Sequence, residues 1–259
     1  MKRIKNLTAI LLASLIVLSL AACGTADKKP LKSGNITKDN VADVCEILKG
    51  AGLFNVDVFK NWVLKFSDTA TDEDAQSGFS DPDCRMTVML LAGDGFKYKS
   101  TLKDYNGTYL MFDTDAIENN KDYSILKEKE ALFTTIFGEM PFSGTGFADA
   151  LKNRWDEHSI TFENPNCSVI SLVMKAYEAD EAFVGHTGLL IDCKCDENTA
   201  SNYVFIEKIA FGEPFKITLL KDENELIDML SKRSEYTAED GDPAPVLYKN
   251  NEQIGELKQ

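Results

Sequence analysis

Between residues 37 and 66 the apolar positions recur at helical spacing. Val41, Val44, Ile47 and Leu48 form one stripe within 37–49, stopped by Gly50 and Gly52. Val58, Phe59, Trp62, Val63 and Phe66 form a second stripe and predict a helix over 56–66. From Ser67 to Asp81 the residues turn small and acidic, which reads as a loop. Asp83 then has the chemistry of an N-cap for the apolar run from Cys84 to Leu91, closed by Gly93 and Gly95. Further on, 108–112 reads as a short strand, and 127–137 and 147–155 as helices.

The pattern changes after residue 168. Segments 169–177, 183–191, 203–209 and 216–220 are short, apolar and rich in β-branched and aromatic residues, and read as strands. Leu226 to Leu230 is helical, and 246–254 reads as a terminal hairpin turning at Asn250-Asn251. Helices dominate the first half and antiparallel strands the second. The expected fold class is α+β, with no repeat and no interior linker that would divide it.

One apolar run belongs to neither half. Leu7 to Leu20 carries no charge and follows Lys2, Arg3 and Lys5. It is short for a membrane span and has the length of a signal-peptide core. It ends in Leu20-Ala21-Ala22-Cys23-Gly24, which looks like a lipobox, so the expected acceptor of diacylglycerol is the Cys23 thiol. The alternative is an ordinary secretory leader that leaves Cys23 as a plain thiol. The expected organisation is a lipoprotein signal peptide over 1–22, a lipidated flexible tether over 23–36 and one globular domain over 37–259. The domain is expected at the extracytoplasmic face of a cell membrane, with membrane lipid as its partner through acylated Cys23. No later segment approaches the roughly 20 apolar residues of a transmembrane helix.

Charge narrows the partners. Losing Lys2, Arg3 and Lys5 with the leader takes the formal charge from −14 to −17. That balance argues against nucleic acid and against lying flat on anionic lipid, and is accounted for by solubility. The protein is expected to be a monomer. Of six cysteines, Cys45, Cys84, Cys167, Cys193 and Cys195 remain beyond Cys23. Disulfides are permitted in an oxidising compartment, but five is odd, and the pairing is left open. Cys193-Lys194-Cys195 lacks a second ligand pair for structural zinc, so neither metal nor cofactor is expected. Asp113-Thr114-Asp115 with Glu118 fails the EF-hand pattern, because Glu118 stands where glycine is needed and Ser124 where glutamate is needed. It reads as a solvated acidic loop. His158 lies in a polar stretch and reads as a surface histidine.

The remaining candidate chemistry is a thiol and an imidazole. A cysteine acts as nucleophile in its thiolate form, and Cys84 falls in the first turn of a helix, where the backbone dipole favours negative charge. His186, flanked by Gly185 and Gly188 on a strand, could serve as its base. Glu207 on the next strand could orient the ring, with Asn202 and Asp192 as weaker candidates. Against this, an unreactive buried thiol at the head of an apolar helix is common, and Asp81 and Asp83 would raise its pKa while Arg85 partly offsets them.

Two likenesses bear on the pair. The segments Phe183-Val184-Gly185-His186-Thr187-Gly188-Leu189-Leu190, Phe205-Ile206-Glu207-Lys208 and Phe211-Gly212-Glu213-Pro214-Phe215 resemble an uncharacterised bacterial lipoprotein family classified as a domain of unknown function, number forty-three hundred. The likeness extends to Asp83-Cys84-Arg85 and Asp113-Thr114-Asp115-Ala116-Ile117, and the family implies no activity. More distantly, the order Cys84, His186-Thr187-Gly188-Leu189-Leu190, Glu207 resembles NlpC-type cell-wall peptidases and related papain-like amidases. The residues before Cys84 and the long interval to His186 depart from that pattern, as does a glutamate in the third position. This likeness implies a papain-like cysteine hydrolase with catalytic Cys84, His186 and Glu207, and the expected location makes peptidoglycan peptides the natural nearby substrate. The alternative is a non-catalytic binding or envelope-maintenance lipoprotein on the same scaffold, with another envelope protein as partner.

Overall fold

The computed structural model describes residues 31–66, 81–144, 146–176, 180–193, 201–239 and 241–257. The leader, Cys23, Cys195, the acidic loop over 67–80 and most of the 193–201 loop lie outside the described residues.

Among the described residues seven α-helices and an eight-stranded antiparallel sheet make an α+β fold. The helices are α1 (Val41–Gly50), α2 (Val56–Phe66), α3 (Cys84–Ala92), α4 (Met111–Asn119), α5 (Glu130–Phe137), α6 (Ala150–His158) and α7 (Glu223–Ser231). The strands are β1 (Gly34–Asn35), β2 (Phe96–Lys97), β3 (Met140–Pro141), β4 (Thr161–Phe162), β5 (Cys167–Lys175), β6 (Glu181–Asp192), β7 (Tyr203–Lys208), β8 (Phe215–Leu220), β9 (Val246–Lys249) and β10 (Glu252–Glu256). In the main sheet the order is β1-β8-β7-β6-β5-β9-β10, and β3 also pairs with β6. Short β2 and β4 form a separate pair. Among the described residues no helix is long and apolar enough to cross a membrane.

Side-chain alternation divides the sheet into two faces. Ile170, Leu172, Leu190, Phe205 and Leu247 point one way and pack with Leu226 and Leu230 of α7. Leu189, Ile206 and Ile217 point the other way, toward the helices of the first half. There α3 packs on β6 and β7, and Phe59 of α2 meets Phe215 of β8 edge to face at 5.4 Å. The stripe on α2 works as its spacing demands. Phe59, Trp62, Val63 and Phe66 are all buried, each contributing about 1.5–3 kcal/mol of burial. Between Leu172 and Val173 the β5–β6 register shifts, so that Gly185 sits opposite the irregularity and the following residue, His186, pairs with Leu172.

Three readings need correction. The strand expected at 108–112 is instead the approach to α4. Thr114 Oγ bonds the Leu110 carbonyl, and Ala116 and Ile117 face the core while Met111 and Phe112 stay exposed. The tether expected through Ile36 is already docked at its end, since Gly34 and Asn35 pair with Ile217 and Lys216 and Ile36 is fully buried. His158 is buried at the end of α6, its Nδ1 3.1 Å from Ser100 Oγ. The polar residues around it mark a helix surface, but its own position on the helix turns inward.

Among the described residues Cys45, Cys84 and Cys167 are buried free thiols, and Cys193 is buried at the end of β6.

Candidate functional site

Helix α3 begins as its sequence dictates. Asp83 adopts an extended backbone and accepts a 2.8 Å hydrogen bond from the Met86 N–H, satisfying one of the unpaired donors of the first turn. This makes Cys84 the first helical residue and turns its side chain toward β6, where the backbone N–H of Thr187 donates to the sulfur. Cys84 is only 4 % exposed. Burial, and then the Asp83 charge, push its thiol up to about 12, against which Arg85 and the Thr187 N–H work too weakly.

Arg85 holds the acidic residues around that thiol. Its Nε and Nη2 reach Asp113 Oδ1 and Oδ2 at 3.1 and 3.2 Å, and its Nη1 donates to the Val184 carbonyl at 3.2 Å. Asp83 Oδ2 lies 2.8 Å from Nη2, as an ion contact without hydrogen-bond alignment. Asp113 is therefore no solvated loop residue. It is buried, and burial followed by the neighbouring Asp83 charge raises its carboxyl well above the usual range despite Arg85. Glu118 sits near the end of α4, and Asp115 bonds Asn119 at its surface.

The other two predicted residues meet across β6 and β7. Leu189 pairs with Ile206, so continuing the ladder puts Glu207 opposite Gly188 and diagonal to His186. Glycine is required at 188, because a Cβ there would fall 2.5 Å from the Phe205 ring and 2.9 Å from the Ile206 carbonyl. Glu207 Oε2 lies 2.7 Å from His186 Nε2, and both residues are 1 % exposed. His186 Nδ1 is buried with no hydrogen-bond partner, so it is not bonded to Cys84. The two alternatives for orienting the ring are elsewhere: Asn202 bonds the Lys221 carbonyl, and Asp192 ends β6 in solvent.

Arg233, which the sequence did not single out, completes this group. Its Nη2 and Nη1 grip Glu207 Oε1 and Oε2 at 2.6 and 2.8 Å, a bidentate pairing. Burial would raise the Glu207 carboxyl, but hydrogen bonds from His186 and Arg233 outweigh it and hold it at about 2. Tyr236, on a short 3-10 turn (Ser234–Tyr236), stacks on His186 with ring centroids 5.4 Å apart and also lies under the Arg233 guanidinium. The segment 233–236 thus covers the imidazole. An arginine two residues beyond a helix gives no sequence signal of such a role. The one hint was the buried glutamate's need for a cation.

Chemically, the group has the orienting half of a nucleophilic site, a carboxylate fixing one imidazole nitrogen. The other half, a solvent-facing thiolate within reach of the free nitrogen, is not what these buried side chains present. The model of one protein family, described as a domain of unknown function (DUF4300), matches residues 67–254. No curated protein and no solved structure matches the chain.

Proposed function

We propose, for a chain that belongs to the DUF4300 family, a membrane-anchored extracytoplasmic lipoprotein that works by binding and not by catalysis. The observation that carries the non-catalytic part is the sealing of Cys84, His186 and Glu207, with Glu207 neutralised by Arg233 and His186 capped by Tyr236. A buried ion pair of this kind organises a core, whereas a nucleophile must meet its substrate. The anchor rests on the leader pattern and on Cys23 alone.

A second reading, a papain-like cysteine hydrolase acting on envelope peptides, is favoured by one specific observation. His186 presents an unbonded Nδ1 while Glu207 holds its Nε2. On that reading Cys84 attacks an amide carbonyl, His186 moves the proton and the segment 233–236 must first swing away.

Thiol labelling at neutral pH, followed at Cys84 by peptide mass spectrometry, separates the two. Slow and equal labelling in wild type and His186→Ala is expected. Fast labelling lost in His186→Ala would establish the hydrolase instead. For the anchor, metabolic labelling with an alkyne fatty acid should mark wild type and leave Cys23→Ser unmarked; equal marking would overturn it.

A further inference from the structure

Among the described residues the most deeply placed cations follow one rule with one exception. Arg85 reaches Asp83 and Asp113, Lys208 reaches Asp81 at 2.7 Å, and Arg233 reaches Glu207. Each has its carboxylate, as removal from water requires. Arg154 of α6 is 8 % exposed, yet among the described residues its guanidinium donates only to two carbonyls, Thr135 at 3.3 Å and Glu139 at 2.7 Å. Of the two acids whose charge it feels, Glu157 stands at the rim, and Glu139 is already occupied, its carboxylate accepting from Tyr105 Oη and from the N–H groups of Thr108 and Tyr109.

Arg154 lines a cavity of about 270 Å³ between β3, the turn that follows it and α6. Met140 and Phe142 form apolar wall, while Ser143, Asn153 and Glu157 supply polar groups. Two of the five guanidinium N–H donors are used on the carbonyls, which leaves a fork suited to a carboxylate. Glu157 lies three residues along α6, on the same side as Arg154, and is exposed at the rim. A cation and an anion so spaced are complementary to a molecule carrying both charges. The volume falls just below the roughly 300–1,000 Å³ of drug-sized sites, which suits a smaller ligand.

We propose that this cavity binds a free α-amino acid, its carboxylate on Arg154, its ammonium on Glu157 and its side chain against Met140 and Phe142. The inference deepens the binding-protein reading and rests on it. Cys84 labelling decides that reading by itself, so slow labelling with a failed titration would remove the amino-acid ligand alone.

The test is isothermal titration of the full chain with L-leucine and L-glutamine, each also as the N-acetyl and the carboxamide derivative. At least one free amino acid should bind. Its carboxamide, lacking the charge for Arg154, should bind at least tenfold more weakly, and its N-acetyl form several-fold more weakly. Glu157→Gln, a rim substitution, should leave thermal unfolding unchanged and erase the preference for the free amine. No binding of either amino acid at millimolar concentration would overturn the proposal. So would a carboxamide binding as well as its acid, or a preference that survives Glu157→Gln.

Discussion

Replacing Arg233 with alanine is expected to destabilise the protein by about 3–5 kcal/mol at neutral pH, a Tm drop on the order of 10 °C. The Glu207 side chain is wholly buried, and two of its three hydrogen bonds come from Arg233. Without the guanidinium the carboxylate keeps only its contact with His186. The loss therefore reports an uncompensated buried charge, not the modest net worth of an ion pair, and Arg233→Lys should recover part of it. Acid should expose the same carboxylate. Its pKa falls from 4.5 to about 2 on folding, so its stabilisation is complete above about pH 4.5 and lost as the pH drops through 2. Over that window wild type should lose about 3 kcal/mol that Glu207→Gln does not lose. Urea denaturation at pH 7, 4.5, 3 and 2 checks this. The raised Asp113 carboxyl acts with the opposite sign, so the informative quantity is the difference between wild type and Glu207→Gln. Parallel pH profiles would refute the assignment.

Lys208→Met should be comparably damaging, at about 3–5 kcal/mol. Methionine keeps the unbranched stem and removes the ammonium, so packing is nearly conserved. Lys208 is fully buried, with its Nζ on Asp81 Oδ2 at 2.7 Å and on the carbonyls of Ala210 and Glu213. Asp81 in turn accepts from the Gly212 N–H. One ammonium thus ties the β7–β8 turn to the residues that lead into α3. Burial lowers the lysine's pKa, and Asp81 opposes that without fully reversing it. In a double-mutant cycle, Asp81→Asn should cost much less in the Lys208→Met background than in wild type, because the acid left unpaired is then gone. Additive effects would mean that the two groups do not act together.

The elements that hydropathy could reveal are those whose apolar residues repeat. Helix α2 matches its stripe end to end, and β5 to β8 and the Asn250 turn lie where alternation and turn chemistry put them. Helix α4 was hidden because its inward face carries Asp113 and its outward face Met111 and Phe112, the reverse of an amphipathic pattern. The partnership of His186 with Glu207 was legible from strand order. The partnership of Glu207 with Arg233 was not, because it joins a strand to the chain beyond a helix, and no local spacing encodes that contact. The sequence pointed to Cys84 and His186 as a pair, whereas in the structure His186 bonds Glu207 and no hydrogen bond joins it to Cys84.

The order of strands in the sheet has a kinetic side. β5 lies between β6, its neighbour in sequence, and β9, which begins at Val246. At the other edge β1, the first described strand, waits for β8 some 180 residues later. A chain that emerges with its first residues leading can form the β5–β8 meander early, but that meander keeps one flank of β5 open until residues 246–249 arrive. High contact order of this sort slows folding, and an unpaired flank is where chains adhere to one another. The last described strands, β9 and β10, are thus the ones that cover that flank, so truncation near β9 should leave an aggregating chain and not a smaller folded one.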